Sequence, residues 1–191
     1  KDINSEIVES ISSSGGKAVG LSGNINNLIT ATKLHVETKD SDSNIEKVVD
    51  IGFVGQPVKL DKSIITNIIN KGEIPVIAPL GVDHNNFTYN INADTVAGFI
   101  AGELKASKLL LLTDVQGILD NNKKLISSLS IEEAKIILNK EFISGGMKPK
   151  IETCINAMEK GVEKSTILDG RIPHSVILEL FTEHGIGTQL V

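Results

Sequence analysis

The stretch Leu109-Leu-Leu-Leu-Thr-Asp114 is an uninterrupted run of apolar residues that ends in two polar ones. A run of this kind is typical of a strand in a parallel sheet, because helices cover both faces of such a sheet. On either side of it, segments with helical spacing alternate with short strand-like segments. This alternation predicts an α/β fold with a mainly parallel sheet.

Turn and capping residues set the limits of the predicted elements. Residues 23–60 hold repeated turn signals, including one at residues 40–44, which favours β-hairpins over a helix. Ser130 and Glu133 form the pattern of a capping box, and Pro149 suits the first position of the next helix. Helices are predicted to begin near residues 3, 61, 93, 130, 149 and 173, and strands to lie at residues 17–22, 74–80, 109–113, 166–168 and 188–191.

Bulk properties narrow the class of protein. The chain has 191 residues and a formal net charge of −5, without a basic block, which argues against nucleic acid as the main partner. Cys154 is the only cysteine, so no internal disulfide can form, and a reducing cytoplasmic setting fits. The longest apolar run is far too short to span a bilayer, so no membrane partner is expected. The chain opens at Lys1 without an initiator Met, as a piece of a longer protein would.

The segment Asn90-Ile-Asn-Ala-Asp94 places polar side chains before a helix rich in small residues. Asn90 and Asn92 lie two residues apart, so in an extended chain both side chains point to the same side and can bind a small polar ligand. Asp94 falls in the first helical turn, where the helix dipole favours a carboxylate. Plain helix capping by Asn92 explains the same pattern, and the segment alone favours that interpretation.

Two further segments carry polar groups where a strand or loop meets a helix. Thr113 and Asp114, followed by Gly117, end the apolar strand, and a nucleotide can lie across such a carboxyl edge; an ordinary loop with an Asp turn explains them equally simply. Ser144-Gly-Gly-Met-Lys-Pro-Lys150 offers backbone amides to phosphate oxygens and a lysine to a transferring phosphoryl group. A flexible loop with a solvated lysine is the alternative. The segment does not have the spacing of a P-loop.

The remaining polar residues give weaker signals. The histidines and Cys154 show no metal-ligand spacing, so no metal-ligating residues are predicted, and Cys154 is expected to be a small core residue. A polar cluster surrounds the last helix and includes Asp169, Arg171, His174 and Glu179. The default interpretation is that these are ordinary polar residues of the surface, or surface decoration. The more specific interpretation is a ligand-binding site.

In this order and spacing, the segments resemble the amino acid kinase family over nearly the whole chain. The resemblance implies a three-layer αβα sandwich of the amino acid kinase or carbamate kinase type. Within the family it is closest to the members that transfer the γ-phosphoryl group of ATP, with Mg²⁺, to the side-chain carboxylate of N-acetyl-L-glutamate in arginine biosynthesis. The segments that carry the resemblance are residues 15–21, 50–55, 74–79, 89–94, 111–119, 144–147 and 169–171.

The resemblance also implies roles for individual residues. Lys150 is expected to stabilise the transition state, Asp94 to organise the catalytic lysines, and Asn90 and Asn92 to bind the substrate. The last helix region matches the part that binds the inhibitor arginine in regulated members, which points to His174, Glu179 and Gly185. The expected nucleotide-binding residues are Thr113, Asp114, Gly117, Ile118, Leu119, Phe142, Ile143, Ser144 and Gly145.

One departure from the family limits these expectations. The family's amino-terminal portion, with a Gly-rich phosphate loop, a second catalytic lysine and a substrate-binding arginine, has no counterpart in this chain. The resemblance therefore makes residues 1–102 the second half of the substrate lobe and residues 103–191 the nucleotide lobe. The 191-residue chain alone is expected to be a poor catalyst. The family also suggests homodimers, or hexamers where arginine regulates.

Three rival interpretations stay open. Another kinase of the same fold, such as one acting on carrier-linked aminoadipate, would have Asp in place of Asn92 and Gly in place of Ala93. A non-catalytic module that binds arginine or a nucleotide, or a fragment that binds nothing well, would show no turnover.

Overall fold

A computed structural model of the chain describes residues 2–39, 46–143, 145–182 and 185–191. The turn predicted at residues 40–44 lies outside this described part. The chain divides into two compact units, Lys1–Val96 and Ala97–Val191. No helix in the described ranges is long and apolar enough to cross a membrane.

The first unit is built on short strands with helices against them. Its elements in chain order are α1 (Ile3–Ser13), β1 (Ala18–Ser22), a 3₁₀ turn (Ile25–Asn27), β2 (Ile29–Lys33), β3 (Val36–Lys39), β4 (Glu46–Val49), β5 (Gly55–Leu60), α2 (Lys62–Asn70), β6 (Ile74–Ala78), β7 (Leu80–Val82) and β8 (Thr88–Asn90). Strand β1 pairs in parallel with β6, and β3 pairs with β4 in antiparallel fashion. The strands β5-β2-β7-β8, in that order, form a mixed four-stranded sheet.

Side-chain hydrogen bonds fix the start of α2 and hold α1 against its neighbouring strands. The Asp61 carboxylate accepts a hydrogen bond from the Ser63 backbone N–H at 3.0 Å, which satisfies one of the free donors at the start of α2. The Asn4 side-chain amide donates to the carbonyl oxygens of Val76 at 2.8 Å and Leu21 at 3.3 Å. A single asparagine therefore attaches α1 to both strands of the β1–β6 pair.

The second unit surrounds a four-stranded sheet. Helix α3 (Ala93–Leu104) spans the division between the units. The elements after α3 are β9 (Lys108–Thr113), β10 (Ser128–Leu129), α4 (Ile131–Leu138), α5 (Met147–Glu159), β11 (Lys164–Asp169), α6 (Ser175–Phe181) and β12 (Thr188–Leu190). The sheet order is β10-β12-β11-β9, with β9 and β11 parallel and β12 antiparallel to β11.

The core of the second unit lies between this sheet and α5. Ile151, Ile167 and Leu190 are completely buried in it, and so is Cys154, as expected for a small core residue. Helices α3 and α5 pack closely at Gly98, which has no side chain. A Cβ at this position would collide with Thr153.

The structure confirms the α/β class, and its sheets combine parallel with antiparallel pairs. The capping box is confirmed, since the backbone N–H of Ser130 donates to Glu133 and that of Glu133 to the Ser130 hydroxyl. The predicted position of Pro149 was wrong. Helix α5 begins two residues earlier, at Met147. A proline fits there because the first four N–H groups of a helix have no partner within it.

Candidate functional site

The predicted substrate asparagines lie on one exposed side of the chain in the first unit. Tyr89 and Ile91 are only 6% and 2% exposed, whereas Asn90 and Asn92 are exposed. This strict alternation is that of extended chain, whose successive side chains point to opposite sides. Both amide side chains therefore face solvent on the same side, next to the start of α3.

Asn92 also caps α3. Its side-chain oxygen accepts a hydrogen bond from the Thr95 backbone N–H at 3.1 Å, so the capping interpretation is confirmed. The cap uses only the amide oxygen of Asn92, and the N–H groups of the same amide can donate hydrogen bonds to a ligand. Asp94 is half-buried in the first turn of the helix, where the peptide dipoles favour a carboxylate.

Asp83 holds the β7–β8 hairpin that leads to Asn90, and no sequence signal singled it out. One oxygen of its carboxylate accepts from the backbone N–H groups of Asn85 and Phe87, both at 2.9 Å, and the other accepts from the Tyr89 hydroxyl at 3.2 Å. Burial alone would raise the pKa of Asp83, but the hydrogen bonds from Phe87, Asn85 and Tyr89 outweigh it and lower the pKa. The hydrogen bonds of the Asp83 carboxylate therefore hold the hairpin together and fix the backbone position of Asn90.

The second unit places its polar residues at two opposite edges of the sheet. At the carboxyl edge, β9 ends at Thr113 and β11 at Asp169, and these two residues are register partners. The Gly170 backbone N–H donates to the Thr113 carbonyl at 2.8 Å, which joins the two strand ends. Because the strands are parallel, the exposed Asp114 lies at the same edge as Asp169. Open α/β sheets bind ligands at this kind of edge.

Thr188 supports the loop that follows β9. Its hydroxyl donates to the Ile126 carbonyl at 2.6 Å and accepts from the Ile118 backbone N–H at 2.8 Å. Gly117 has φ +146°, and a Cβ on it would lie 2.6 Å from the Thr188 hydroxyl, so only glycine fits. The Ile118 side chain is completely buried, and its carbonyl accepts from the Ile126 N–H. Ile118 therefore supports the loop from beneath, and half-buried Leu119 follows it.

The second predicted nucleotide segment lies before α5. Phe142 is half-buried and packs on the core, whereas Ile143 is 3% exposed and belongs to the core itself. Gly145 is exposed with φ +58°, and Ser144 lies outside the described residues. A short connection joins the end of α5 to β11, so the helix runs antiparallel to the strand. The first turns of α5, with half-buried Lys150, therefore lie toward the carboxyl edge.

Asp169 and Arg171 form a bidentate ion pair at this edge. The guanidinium donates from Nε at 2.9 Å and from Nη2 at 2.8 Å to the two carboxylate oxygens, and the Arg171 backbone N–H adds a bond at 2.9 Å. Hydrogen bonds from the Arg171 side chain and backbone lower the pKa of Asp169 to about 2. The Asp169 side chain is 6% exposed, so this residue is not the surface decoration of the default interpretation.

Glu179 is buried and holds the turn before β12. Its carboxylate accepts from the Thr166 hydroxyl at 3.1 Å and from the backbone N–H groups of Ile186 at 2.9 Å and Gly187 at 3.3 Å. Gly185 has φ +58°, and a Cβ on it would lie 2.5 Å from the carboxylate. The structure therefore brings Glu179 and Gly185 into direct contact. His174 is exposed at the start of α6, in a left-handed backbone conformation.

A cavity of about 320 Å³ opens at the amino edge of the same sheet. Lys108 and Lys164, the first residues of the parallel strands β9 and β11, are register partners and both line it. Glu179 and Gly185 line the cavity as well, together with Thr182. Sequence reasoning missed the two lysines, which open strands β9 and β11 of the structure and lie one and two residues before the predicted strands at 109–113 and 166–168. Within the described ranges, no group of three or more His, Cys, Asp or Glu side chains is placed to hold a metal ion.

Solved structures with a similar fold include a carbamate kinase and an N-acetylglutamate synthase. Carbamate kinase from Giardia lamblia bound to AMP-PNP aligns with a TM-score of 0.64 at 15% identity, over 99% of this chain and 70% of that one. N-acetylglutamate synthase from Neisseria gonorrhoeae, complexed with coenzyme A and N-acetyl-glutamate, aligns with a TM-score of 0.83 at 28% identity, over 98% of this chain and 40% of that one. The fold is thus that of the carbamate kinase and amino acid kinase group.

The sequence then identifies the family. The model of the amino acid kinase family matches residues 1–169, and the chain belongs to that family. An acetylglutamate kinase of Afipia carboxidovorans is 56% identical over 97% of this chain and 63% of that protein. An acetylglutamate kinase of Mesorhizobium japonicum is 53% identical over 99% of the chain and 64% of that protein. The chain therefore spans less than two thirds of the length of these relatives.

Proposed function

We propose that the protein containing this chain is an acetylglutamate kinase, which transfers the γ-phosphoryl group of ATP to the side-chain carboxylate of N-acetyl-L-glutamate in arginine biosynthesis. The observation that carries the proposal is the identity of 53–56% to proteins of that name over 97–99% of the chain. A cytoplasmic setting and a homo-oligomeric state, dimer or hexamer, are part of the same proposal.

The first unit would bind the acceptor. Asn90 and Asn92 face solvent on one side of the chain, and amide N–H groups are suitable donors to the carboxylate and acetyl oxygens of N-acetyl-L-glutamate. An acceptor carboxylate is already ionised near neutral pH, so no general base is needed to create the nucleophile. Binding and orientation are then the work of these residues, with Asp94 as the charged group of the adjacent helical turn.

The second unit would bind the nucleotide across its carboxyl edge. Asp114, Gly117 and Leu119 follow β9, and Phe142 and Gly145 precede α5. Lys150 near the start of α5 would place a positive charge against the transferring phosphoryl group, whose charge grows in the transition state. Mg²⁺ bound to the phosphates would neutralise more of that charge.

Trapping of the acyl phosphate product tests this proposal. The full-length protein is incubated with ATP, Mg²⁺ and N-acetyl-L-glutamate, and the product is trapped with hydroxylamine. We expect turnover to fall by a factor of about 10² or more in Lys150→Ala, because a charge that acts in the transition state is lost. Lys135→Ala is the matched control, since Lys135 pairs with Glu159 at 2.5 Å on the surface of α4 and α5. Equal activity of Lys150→Ala and Lys135→Ala would contradict the assignment.

The same assay separates the rival interpretations. Preference for a carrier-linked aminoadipate over N-acetyl-L-glutamate would indicate the other kinase of this fold. Nucleotide binding without turnover in the full-length protein would indicate a non-catalytic module. We expect residues 1–191 alone to turn over poorly, because the phosphate loop and second lysine of the family have no counterpart in them.

We also propose that the amino-edge cavity binds L-arginine as a regulator. Lys108 and Lys164 offer positive charge to an α-carboxylate, and Glu179 lies in the same cavity to face a guanidinium. The N-acetylglutamate synthase from Neisseria gonorrhoeae was also solved with coenzyme A and L-arginine, and it aligns with a TM-score of 0.78 at 28% identity over 92% of this chain and 38% of that one. His174, the third predicted residue, lies at the start of α6 and does not line the cavity.

Thermal unfolding with added amino acids tests the regulatory proposal. L-Arginine at about 100 times its Kd should stabilise the protein by about 2.7 kcal/mol, whereas L-citrulline, which lacks the positive charge, should not. Lys164→Ala should remove the effect, and Lys135→Ala should retain it. Equal protection by arginine and citrulline would sink the idea.

A further inference from the structure

We infer that Arg171, held in place by Asp169, is a phosphate-binding residue of the nucleotide site at the carboxyl edge of the second unit. The inference rests on the proposed nucleotide site and names one of its contacts. It starts from the ion pair between Asp169 and Arg171 at the end of β11.

Composition gives the first argument. The chain has 18 lysines and a single arginine, Arg171. A lysine can form an exposed ion pair as well as an arginine can. Only the planar guanidinium can bind a carboxylate through two parallel N–H groups and still present further N–H groups in a fixed direction. The one position with arginine is the position where such a fork is used.

Geometry gives the second argument. Asp169 accepts from Nε and Nη2 of Arg171, at 2.9 and 2.8 Å, which leaves Nη1 and the second N–H of Nη2 for another acceptor. The Arg171 side chain is 67% exposed, whereas that of Asp169 is 6% exposed. The guanidinium is therefore fixed from the protein side and open toward solvent. An arginine held in this way loses less entropy when it binds a second anion.

Location gives the third argument. Asp169 is the register partner of Thr113. The hydrogen bond to Asp169 and its charge raise the pKa of the Arg171 guanidinium, and Asp114 is close enough for its charge to raise that pKa as well. Both Thr113 and Asp114 belong to the proposed nucleotide edge, and the start of α5 with Lys150 lies toward the same edge. The Asp169–Arg171 pair is neutral overall. It therefore contributes directed hydrogen bonds to a phosphate, and Lys150 contributes the positive charge.

Binding of ADP and of adenosine to the full-length protein, measured by titration calorimetry with Mg²⁺ present, tests the inference. We expect Arg171→Ala to weaken ADP binding at least tenfold and to change adenosine binding less than twofold, because adenosine has no phosphate. Arg171→Lys should recover only part of the loss. Lys135→Ala removes the cation of another ion pair and is expected to bind both ligands as the wild type does.

Asp169→Asn separates positioning from simple charge. The substitution removes a negative charge beside the site, so a purely electrostatic effect would strengthen ADP binding. The positioning role predicts severalfold weaker binding, because the fork loses its strongest acceptor. Stronger ADP binding in Asp169→Asn, or equal loss of ADP and adenosine in both Arg171 variants, would overturn the inference. A wild-type protein that binds neither ligand would refute the nucleotide site itself.

Discussion

Replacement of Glu179 should reveal how much of the second unit depends on one buried carboxylate. Glu179 is 7% exposed and accepts three hydrogen bonds, from the Thr166 hydroxyl and from the backbone N–H groups of Ile186 and Gly187. Glu179→Ala leaves all three donors without their acceptor. Thr166 and Gly187 are buried, whereas Ile186 is half-buried and can turn to water.

The magnitude follows from the two buried donors. A buried donor that has lost its acceptor costs roughly 1.5 kcal/mol, so Glu179→Ala should lower the free energy of unfolding by about 3 kcal/mol. For a chain of this length, that corresponds to a decrease in Tm of roughly 6–12 °C. Glu179→Gln should cost only about 1 kcal/mol, because the amide oxygen can accept the two backbone bonds and the amide nitrogen can donate to Thr166.

Urea unfolding followed by circular dichroism measures these differences. A double-mutant cycle with Thr166→Val isolates the side-chain bond, and we expect a coupling of about 1 kcal/mol between Glu179 and Thr166. The reasoning is refuted if alanine and glutamine cost the same, or if Glu179→Ala changes the Tm by less than about 1 °C, since three real hydrogen bonds cannot be lost without effect.

Three further substitutions test other parts of the structure. Thr188→Val removes the acceptor for the Ile118 N–H and the donor to the Ile126 carbonyl, so we expect a loss of about 2–3 kcal/mol in urea unfolding; an unchanged midpoint would contradict this. Hydrogen bonds from Arg171 hold the pKa of Asp169 at about 2, below its ordinary 3.8. The stability from this pair is therefore complete above pH 3.8 and is lost as the pH falls through about 2. Asp169→Asn should flatten the fall in Tm over that range, and identical acid limbs would argue against the pair. Ser130→Ala should cost about 1 kcal/mol through the lost cap of α4, and no loss of helical circular dichroism signal or Tm would show that the cap is dispensable.

Local patterns were enough to predict most elements of the chain. The apolar run at β9 and the Ser130 capping box depend on residues within a few positions of one another, so the sequence contains their full cause. The strands β7, β8 and β10 were not predicted, because two or three residues give too little pattern to recognise. The start of α5 was misplaced by two residues, because proline is acceptable anywhere in a first helical turn.

The candidate site also combines features that local sequence predicts with features that depend on packing. The residue types at Asn90, Asn92 and Asp114 and the glycines near residue 145 predicted ligand edges from sequence, because open α/β sheets bind ligands where their strands end and helix starts favour anions. The packing of the folded unit decides whether the side chain of such a residue points toward solvent. Ile143 was expected to bind a nucleotide, and its side chain lies in the core.

The sequence by itself determined the α/β class, the helix starts at Asp61 and Ser130, and membership of the amino acid kinase family. These depend on short-range spacing and on motif order, which are properties of the chain before it folds. Only the tertiary structure decided that Lys108 meets Lys164 across two strands and that Glu179 is buried against Gly185. The first of these contacts joins residues far apart in sequence, and the second depends on the burial of Glu179, which also bonds Thr166 of β11. Strand register and side-chain burial create them, and both depend on how the whole unit packs.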